Sequence, residues 1–314
     1  MKGQDLRAVT VATVMPFRPG GAIDWDGYRR VLDHATRPRG VHGVFVNGHA
    51  GEVAALAPEE RSEVIRRTRA HLGDGRPLLD GIVAYSTAEA IARTREAREA
   101  GADVAVLFPF PQHAAGGGAD PRAGPAYVSA IHAAVPMPLS IFQYPLASGA
   151  GFTTAVLAEI LRHPAVIAVK EGSGDIGAYE DNLRAMRAAR PDAAMLPSNF
   201  GWFLPQLALG GDGILSGLAS LVPDRLADLW HAAEARDLEA MRRANDRLHP
   251  IVRAIYGAPP LMDMHTRIKA ALVEMGIIAC AHPRPPLLPL APEATDRTAR
   301  AVRAEGLAAP VSAG

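Results

Sequence analysis

Eight short apolar runs alternate with longer helical patterns over the first 216 residues, and this alternation restricts the fold more than any other feature. The runs begin roughly 20–35 residues apart, which leaves room for one crossover helix between successive strands. Strands that alternate with helices form a parallel sheet, and eight such units in this length favour a closed (β/α)8 barrel over an open doubly wound sheet. The predicted strands are residues 8–12, 43–46, 77–83, 103–108, 139–142, 166–170, 193–196 and 213–216.

The segments between these runs have helical patterns with recognisable ends. One helix is expected to begin at Pro58, because two acidic residues follow in its first turn, where the helix dipole favours them. A second is predicted over residues 88–100, since Gly101 is suited to the position just beyond a helix end. A third begins at Thr153. These helices supply the crossovers that a parallel barrel requires.

The pattern changes after Ser216, where no further strand alternates with the helices. Helical patterns cover residues 223–246, 261–275 and 292–307, and proline-rich stretches separate them. The sequence therefore predicts an α/β protein of two domains, a (β/α)8 barrel over residues 1–222 and a C-terminal helical domain over residues 223–314.

Composition restricts the partners and the compartment. Thirty-three basic residues balance thirty-three acidic ones, so no excess of charge indicates binding to nucleic acid. No stretch of about 20 apolar residues predicts a membrane span, and the N-terminal segment lacks the apolar core of a signal peptide. The single cysteine, Cys280, excludes an intrachain disulfide. We therefore expect a cytoplasmic protein that binds neither membrane nor nucleic acid, and the scattered histidines predict no metal site.

The strongest candidate for chemistry is a lysine in a chain that otherwise uses arginine. Only three of the thirty-three basic residues are lysines: Lys2, Lys170 and Lys269. Strand alternation places Lys170 on the same face as Val166 and Ala168, which points into a barrel near its C-terminal end, where barrel active sites lie. Partial desolvation there lowers the pKa of an amine, as a Schiff-base nucleophile requires. The alternative is a lysine that reaches solvent or pairs with Glu171.

Two other segments follow strands of the predicted barrel. Gly48-His49-Ala50-Gly51-Glu52 follows the second strand, and its small residues let backbone N–H groups approach a carboxylate. Taken alone, it is more typical of a plain glycine-rich turn, and His49 is either an acid/base group or an ordinary loop histidine.

Phe142 and Tyr144 share one face at the end of the fifth strand. A phenol at a barrel mouth can transfer protons, although such a residue is more often a packed aromatic with its hydroxyl in water.

One motif points to a different class of function. Gly172-Ser173-Gly174-Asp175-Ile176-Gly177 matches the dinucleotide-binding pattern G-x-G-x-x-G, and Asp192 follows at a suitable distance. The motif, however, follows the sixth strand rather than the first, and the strand before it ends in Lys-Glu. We therefore expect no nicotinamide binding and no cofactor.

Taken in order, these segments resemble the dihydrodipicolinate synthase/N-acetylneuraminate lyase family over nearly the whole chain. The matching segments are residues 13–17 for T-P-F, 48–52 for G-T-T-G-E, 108–111 for P-Y-Y, 141–145 for Y-N-x-P, 169–175 for K-E-x-S-G-D and 207–216 for L-A-L-G-A-x-G-V-I-S. The resemblance implies a barrel with a C-terminal helical domain, assembled as a homotetramer or homodimer. It also implies a lyase that holds pyruvate or another 2-oxo acid as an imine on Lys170, without a metal or organic cofactor.

The departures from the family pattern concern the proton relay. His49 and Ala50 replace the two threonines, Phe142 aligns with the catalytic tyrosine, and Pro111 and Ala147 align with a further tyrosine and with the arginine of the synthases. We therefore expect neither dihydrodipicolinate synthase nor N-acetylneuraminate lyase activity, but a rewired acid/base set in which Tyr144 or His49 serves Lys170.

The resemblance is compatible with three types of reaction: an aldol cleavage or addition, a dehydration and a deamination. The alternative belongs to another class of function: a catalytically inactive member of the family that binds a keto acid or a protein partner without turnover. For the substrate, we expect contacts from Gly48, Ala50, Gly51, Phe142 and Ser216. The glycine-rich loop at residues 112–125 is expected to shape the distal pocket through Gln112 or His113. The missing arginine predicts a substrate without a second carboxylate.

Overall fold

A computed structural model describes residues 1–198 and 201–309, and within them the chain forms a parallel eight-stranded barrel. The strands are β1 Val9–Ala12, β2 Val41–Val46, β3 Leu78–Ile82, β4 Val104–Leu107, β5 Leu139–Gln143, β6 Val166–Glu171, β7 Ala194–Pro197 and β8 Ile214–Ser216. The predicted fold class and all eight predicted strands are confirmed. The strand ends shift by one or two residues from the apolar runs.

Every strand pairs in parallel with its neighbour in the order β7-β6-β5-β4-β3-β2-β1-β8. The pairing of β1 with β8, which sets Val9 opposite Ile214, brings the last strand back to the first. At the remaining seam, between β7 and β8, two hydrogen bonds join Asp212 to Met195 of β7. The N–H of Asp212 donates to the carbonyl of Met195, and the Asp212 carboxylate accepts from the N–H of Met195. The barrel is therefore nearly closed, and the carboxyl ends of its strands surround one mouth.

The helices follow the strands as the sequence predicts. They are α1 Trp25–Thr36, α2 Pro58–Leu72, α3 Thr87–Ala100, α4 Ala123–Ala134, α5 Thr154–Leu161, α6 Ile176–Ala189, α7 Phe203–Ala208, α8 Pro223–Glu234, α9 Leu238–Tyr256, α10 Met264–Glu274 and α11 Pro292–Ala304. Gly101 ends α3 in the left-handed conformation, and the Thr153 hydroxyl caps α5 by accepting from the N–H of Val156. Both ends confirm the predicted signals.

Three sequence predictions are wrong in detail. The single helix predicted over residues 223–246 is two helices, because Arg236 adopts a φ of +56° and the Asp237 carboxylate then caps α9 by accepting from the N–H of Ala240. The helix predicted from residue 261 begins at Met264, after one 3-10 turn. The glycine-rich loop at 112–125 contains two 3-10 turns and the start of α4 rather than an open loop.

The predicted domain boundary at residues 222 and 223 precedes α8. That helix packs against β1, β2, α1 and α7, which is the position of the eighth helix of the barrel. We therefore propose that the barrel extends to Glu234 and that the C-terminal domain consists of α9, α10 and α11.

A buried ion pair attaches this C-terminal domain to the barrel mouth. The Glu52 carboxylate, just after β2, accepts a hydrogen bond from Nζ of Lys269 on α10 and another, of 2.9 Å, from the N–H of Arg284. Nζ of Lys269 also donates to the carbonyl of His282 at 2.7 Å. Burial lowers the pKa of Lys269, and the Glu52 charge opposes this. Of the three lysines, Lys269 is therefore a structural one.

Replacing Glu52 with glutamine should destabilise the fold strongly. The variant would leave the ammonium of Lys269 buried without its counter-charge, and removal of one partner from a buried pair costs about 3 kcal/mol or more. The free energy of unfolding, measured by urea denaturation, should fall by that amount. Glu63→Gln is the matched control, because its pairs with Arg66 and Arg67 are exposed and contribute about 0–1 kcal/mol. Equal loss in the two variants would contradict this assignment.

Candidate active site

Lys170 lies at the carboxyl end of β6 with its amine inside the barrel mouth. Its side chain is only 8% exposed, and Nζ is 3.3 Å from the centroid of the Phe142 ring on the neighbouring strand β5. Desolvation by burial lowers the pKa of Lys170 well below its ordinary value, and the nearby charge of Glu171 only partly opposes this. A lowered pKa increases the fraction of the free amine, which is the form that attacks a carbonyl.

The alternative of an ion pair between Lys170 and Glu171 is not what the structure adopts. Strand alternation directs Glu171 to the other face of β6, where its carboxylate accepts hydrogen bonds from the backbone and hydroxyl of Ser173 and from the side-chain amide of Asn182. Burial raises the pKa of Glu171. The amine of Lys170 therefore remains directed to the barrel mouth.

A cavity of about 260 Å³ opens in front of this amine. Its wall combines residues from the strand ends with residues from the C-terminal helices. The lining side chains that bear on chemistry are His49, Ala50, Phe142, Tyr144, Lys170, Ser198, Ser216, Tyr256 and His265. The remaining wall is largely apolar. The structure therefore has a formed cavity around Lys170 at the end of the barrel where the sequence predicts an active site.

His49 and Tyr144 meet at the mouth of this cavity through a hydrogen bond between Nε2 and the phenol oxygen. His49 keeps access to solvent, but its ring packs edge-on against Phe108 at a centroid distance of 5.1 Å. Desolvation of the ring, with a smaller contribution from the charge of Lys170, lowers the pKa of His49 to about 4. Burial raises the pKa of Tyr144. Both groups are therefore neutral at pH 7, and one can accept a proton that the other donates.

Phe142 occupies the centre of this aromatic group. Its ring centroid lies 4.6 Å from that of Tyr144 and 5.0 Å from that of Phe108. Aromatic edges and faces at these separations attract one another and hold the rings in fixed orientations. Phe142 thus orients the Tyr144 phenol from one side and covers the amine of Lys170 on the other.

The turn at residues 48–52 reaches the cavity through two of its residues. His49 and Ala50 line the cavity, whereas Gly48 and Gly51 stand behind them. Gly48 lies so close to Phe45 that an added Cβ would be 2.5 Å from its ring. The N–H of Gly51 donates within the turn to the carbonyl of Gly48. Across the described ranges 1–198 and 201–309, the backbone N–H groups of His49 and Ala50 meet no protein acceptor.

Three lining residues carry functional groups that sequence reasoning did not single out. Tyr256, the last residue of α9, hydrogen-bonds to the side chain of Ser216 at the end of β8. The imidazole of His265 on α10 is buried, and desolvation lowers its pKa to about 3. The Ser198 hydroxyl donates to the carbonyl of Glu171 at 3.0 Å. Tyr256 and His265 lie beyond the barrel strands, and no local motif links them to Lys170.

Two expected substrate contacts lie elsewhere. The side-chain amide of Gln112 donates to the carbonyl of Tyr85 at 3.0 Å, and the His113 ring is held between Phe110 and Phe152. Neither residue is part of the cavity wall around Lys170. The loop that carries them packs against the segment after β5, where the N–H of Thr153 donates to the carbonyl of Gly118.

The glycine-rich segment after β6 serves a structural purpose. Gly174 takes a φ of +81°, and the Asp175 carboxylate caps α6 by accepting from the N–H of Ala178. A carboxylate at this helix end occupies the position that a dinucleotide phosphate would need.

Among the residues that the structure describes, none of the helices has the length and hydropathy of a membrane span.

The fold and the site define an aldolase-type barrel with a buried amine at its mouth, and comparisons with known proteins agree. The model of the dihydrodipicolinate synthetase family matches residues 5–305. A 4-hydroxy-tetrahydrodipicolinate synthase from Methanospirillum hungatei is 32% identical over 248 residues, covering 78% of this chain and 82% of that protein. One from Neisseria gonorrhoeae is 28% identical over 96% of this chain and 99% of its own length.

Solved structures show the same architecture. The dihydrodipicolinate synthase of Thermotoga maritima superposes with a TM-score of 0.88 at 23% identity, covering 96% of this chain and 99% of that one. A family protein from an Escherichia coli K12 prophage, solved in complex with pyruvate, gives 0.85 at 22% identity over 96% and 99%. The chain therefore belongs to the dihydrodipicolinate synthetase family, whose members are carbon–carbon lyases of the Schiff-base, pyruvate-dependent aldolase type.

Proposed function

We propose that this protein is a lyase that binds pyruvate or a longer 2-oxo acid as a Schiff base on Lys170. The observation that carries the proposal is the position of the Lys170 amine, buried against Phe142 at the inner end of a cavity in the barrel mouth. Its lowered pKa supplies the unprotonated nucleophile.

The covalent step follows from this position. The amine of Lys170 attacks the C2 carbonyl, and one N–H proton passes to the carbonyl oxygen to give a carbinolamine. The second N–H proton then leaves with the hydroxyl group as water, which forms the imine, and the imine nitrogen is protonated by a neighbouring acid. The protonated imine then accepts the electron pair released when a proton or a carbon substituent leaves C3, which gives an enamine. No metal or organic cofactor is required, because the imine nitrogen itself is the electron sink.

His49 and Tyr144 are proposed as the acid/base pair for these steps. Their hydrogen bond joins a neutral imidazole to a neutral phenol at the mouth, beside the position where the carbonyl oxygen and C3 would lie. A bound carboxylate adds negative charge to the cavity and raises the pKa of His49 toward the range in which it exchanges protons at pH 7. This pair would perform the proton transfers that Phe142, at the position of the family tyrosine, cannot.

The substrate carboxylate is proposed to bind at the turn of residues 48–52. The backbone N–H groups of His49 and Ala50 have no protein acceptor within the described residues, and both residues line the same cavity as Lys170. Backbone N–H groups on a turn of small residues bind an anion without added side-chain entropy. Ser216 and Tyr256, which are hydrogen-bonded to each other and line the same cavity, would contact the rest of the substrate.

The rate of imine formation should reach its plateau at a lower pH than an ordinary lysine would require. Protonated Lys170 cannot attack a carbonyl, so the rate rises with pH through the pKa of this amine and is constant above it. Because burial places that pKa well below 10.5, the rise should end well before pH 10. Rapid trapping of pyruvate from pH 5 to 10.5 measures this. A rate that keeps rising about tenfold per pH unit to pH 10 would show an ordinary lysine.

The direct test is reductive trapping with pyruvate and cyanoborohydride, read by intact mass and by peptide mapping. The proposal expects one reduced adduct, located on Lys170. Failure of every 2-oxo acid tested to form it, in folded protein, would favour a member that binds without turnover.

Assembly as a homotetramer or homodimer is proposed on family resemblance. One solved structure with 22% identity to this chain is described as a monomeric variant.

A further inference from the structure

A second, larger cavity of about 500 Å³ adjoins the one that contains Lys170. The two share four wall residues: Pro145, Gly172, Tyr256 and Leu261. The inner cavity of about 260 Å³ is smaller than most ligand sites, which occupy roughly 300–1,000 Å³, whereas the two together fall well within that range. The two cavities therefore adjoin, and together they offer the volume for a substrate longer than the inner cavity alone can hold; we call the second one the outer pocket.

The outer pocket has one permanently charged side chain, Arg253 on α9. Its guanidinium carbon lies beside Gly257, where an added Cβ would be 3.1 Å away, and both residues line the pocket. Within the described part of the chain, the side chain of Arg253 makes no ion pair or hydrogen bond, and no acidic residue lines the pocket. This arginine is therefore available to an anion that enters from the inner cavity.

The rest of the outer pocket suits an extended organic group. Trp202, which is 44% exposed, and Val252 offer apolar surface, and His249 adds a polar ring. One guanidinium with no second cation matches one carboxylate, which it can bind through two parallel hydrogen bonds, better than a doubly charged phosphate.

From these observations we infer that Arg253 binds the distal carboxylate of an extended 2-oxo acid whose 2-oxo group lies at Lys170. The substrate class is thus a 2-oxo acid with a second carboxylate at its far end. The inference rests on the proposed function. It differs from the earlier expectation that the substrate has no second carboxylate, which followed from Ala147 at the position of the family's arginine. Ala147 is exposed, and the cation would come instead from Arg253 on α9.

Matched pairs of 2-oxo acids test the inference. The pairs are 2-oxoglutarate with 2-oxopentanoate, 2-oxoadipate with 2-oxohexanoate, and 2-oxopimelate with 2-oxoheptanoate, which differ mainly by the terminal carboxylate. In at least one pair the dicarboxylate should bind about tenfold more tightly to the wild-type protein, and Arg253→Gln should remove that preference. Arg243→Gln removes an equal charge from the same helix, outside both cavities, and should retain the preference.

Two measurements keep this inference separate from the proposed function. Reductive trapping reads the imine, whereas calorimetry without reductant reads total reversible binding, whether or not an imine forms. Absence of a pyruvate adduct together with a dicarboxylate preference that depends on Arg253 would refute the Lys170 chemistry alone. An adduct with no preference in any pair, or a preference that survives Arg253→Gln, would refute the role of Arg253 alone.

Discussion

Replacing Lys170 with alanine will remove the reduced pyruvate adduct entirely and will lower turnover by roughly 10⁵–10⁶-fold, the scale observed when a covalent nucleophile is lost. Neither of the other two lysines can substitute. Lys269 is fully buried and bonded to Glu52 and His282, and Lys2 is exposed at the N-terminal end of the barrel sequence. The small number of lysines also makes the location of an adduct unambiguous by peptide mapping.

Two further variants isolate the amine from its surroundings. Lys170→Met keeps an unbranched side chain against the Phe142 ring and should fold like the wild type, yet form no adduct. Lys2→Ala removes a different lysine and should retain both adduct and turnover. An adduct that persists in Lys170→Ala, mapped to another residue, would contradict the assignment of Lys170.

The sequence predicted the barrel well because its signals are local. Each strand is a short apolar run, and alternation along β6 was enough to predict that Lys170 points into the barrel, where the structure places it. The break between α8 and α9 was missed because residues 235–237 contain neither glycine nor proline, and Arg236 adopts a positive φ without a sequence signal.

The candidate site was predictable only where its residues lie next to strand ends. His49 and Tyr144 were singled out separately, but their hydrogen bond joins residues 95 positions apart and could not be read from the sequence. Tyr256, His265 and Arg253 reach the mouth from the C-terminal helices. Their placement depends on how α9 and α10 pack on the barrel, partly through the Glu52–Lys269 pair, and this packing has no sequence motif.

The second large effect is expected at the His49–Tyr144 pair. Tyr144→Phe and His49→Ala should each lower turnover on the order of 10³-fold, within the usual range for loss of a general acid or base. Both variants retain the Lys170 amine, so the pyruvate adduct should still form under reductive trapping. Turnover should therefore fall while the pyruvate adduct still forms. Loss of folding would instead abolish both.

The double variant shows whether the two groups act as a unit. If a proton passes between them, either single change already interrupts the transfer, and combining the two should cost little more than one alone. Two independent groups would instead give multiplied losses. Tyr85→Phe is the matched control, because this tyrosine is exposed and outside both cavities, and its turnover should match the wild type.

His49→Gln distinguishes proton transfer from positioning. A glutamine amide can still hydrogen-bond to the Tyr144 phenol and hold it in place, but it cannot accept a proton at any pH near neutrality. If His49 serves only to orient Tyr144, this variant should recover much of the turnover lost in His49→Ala. We expect no recovery, because the structure brings a titratable ring nitrogen to the phenol at the mouth of the cavity and the imine at Lys170 needs a group that can both take and return a proton.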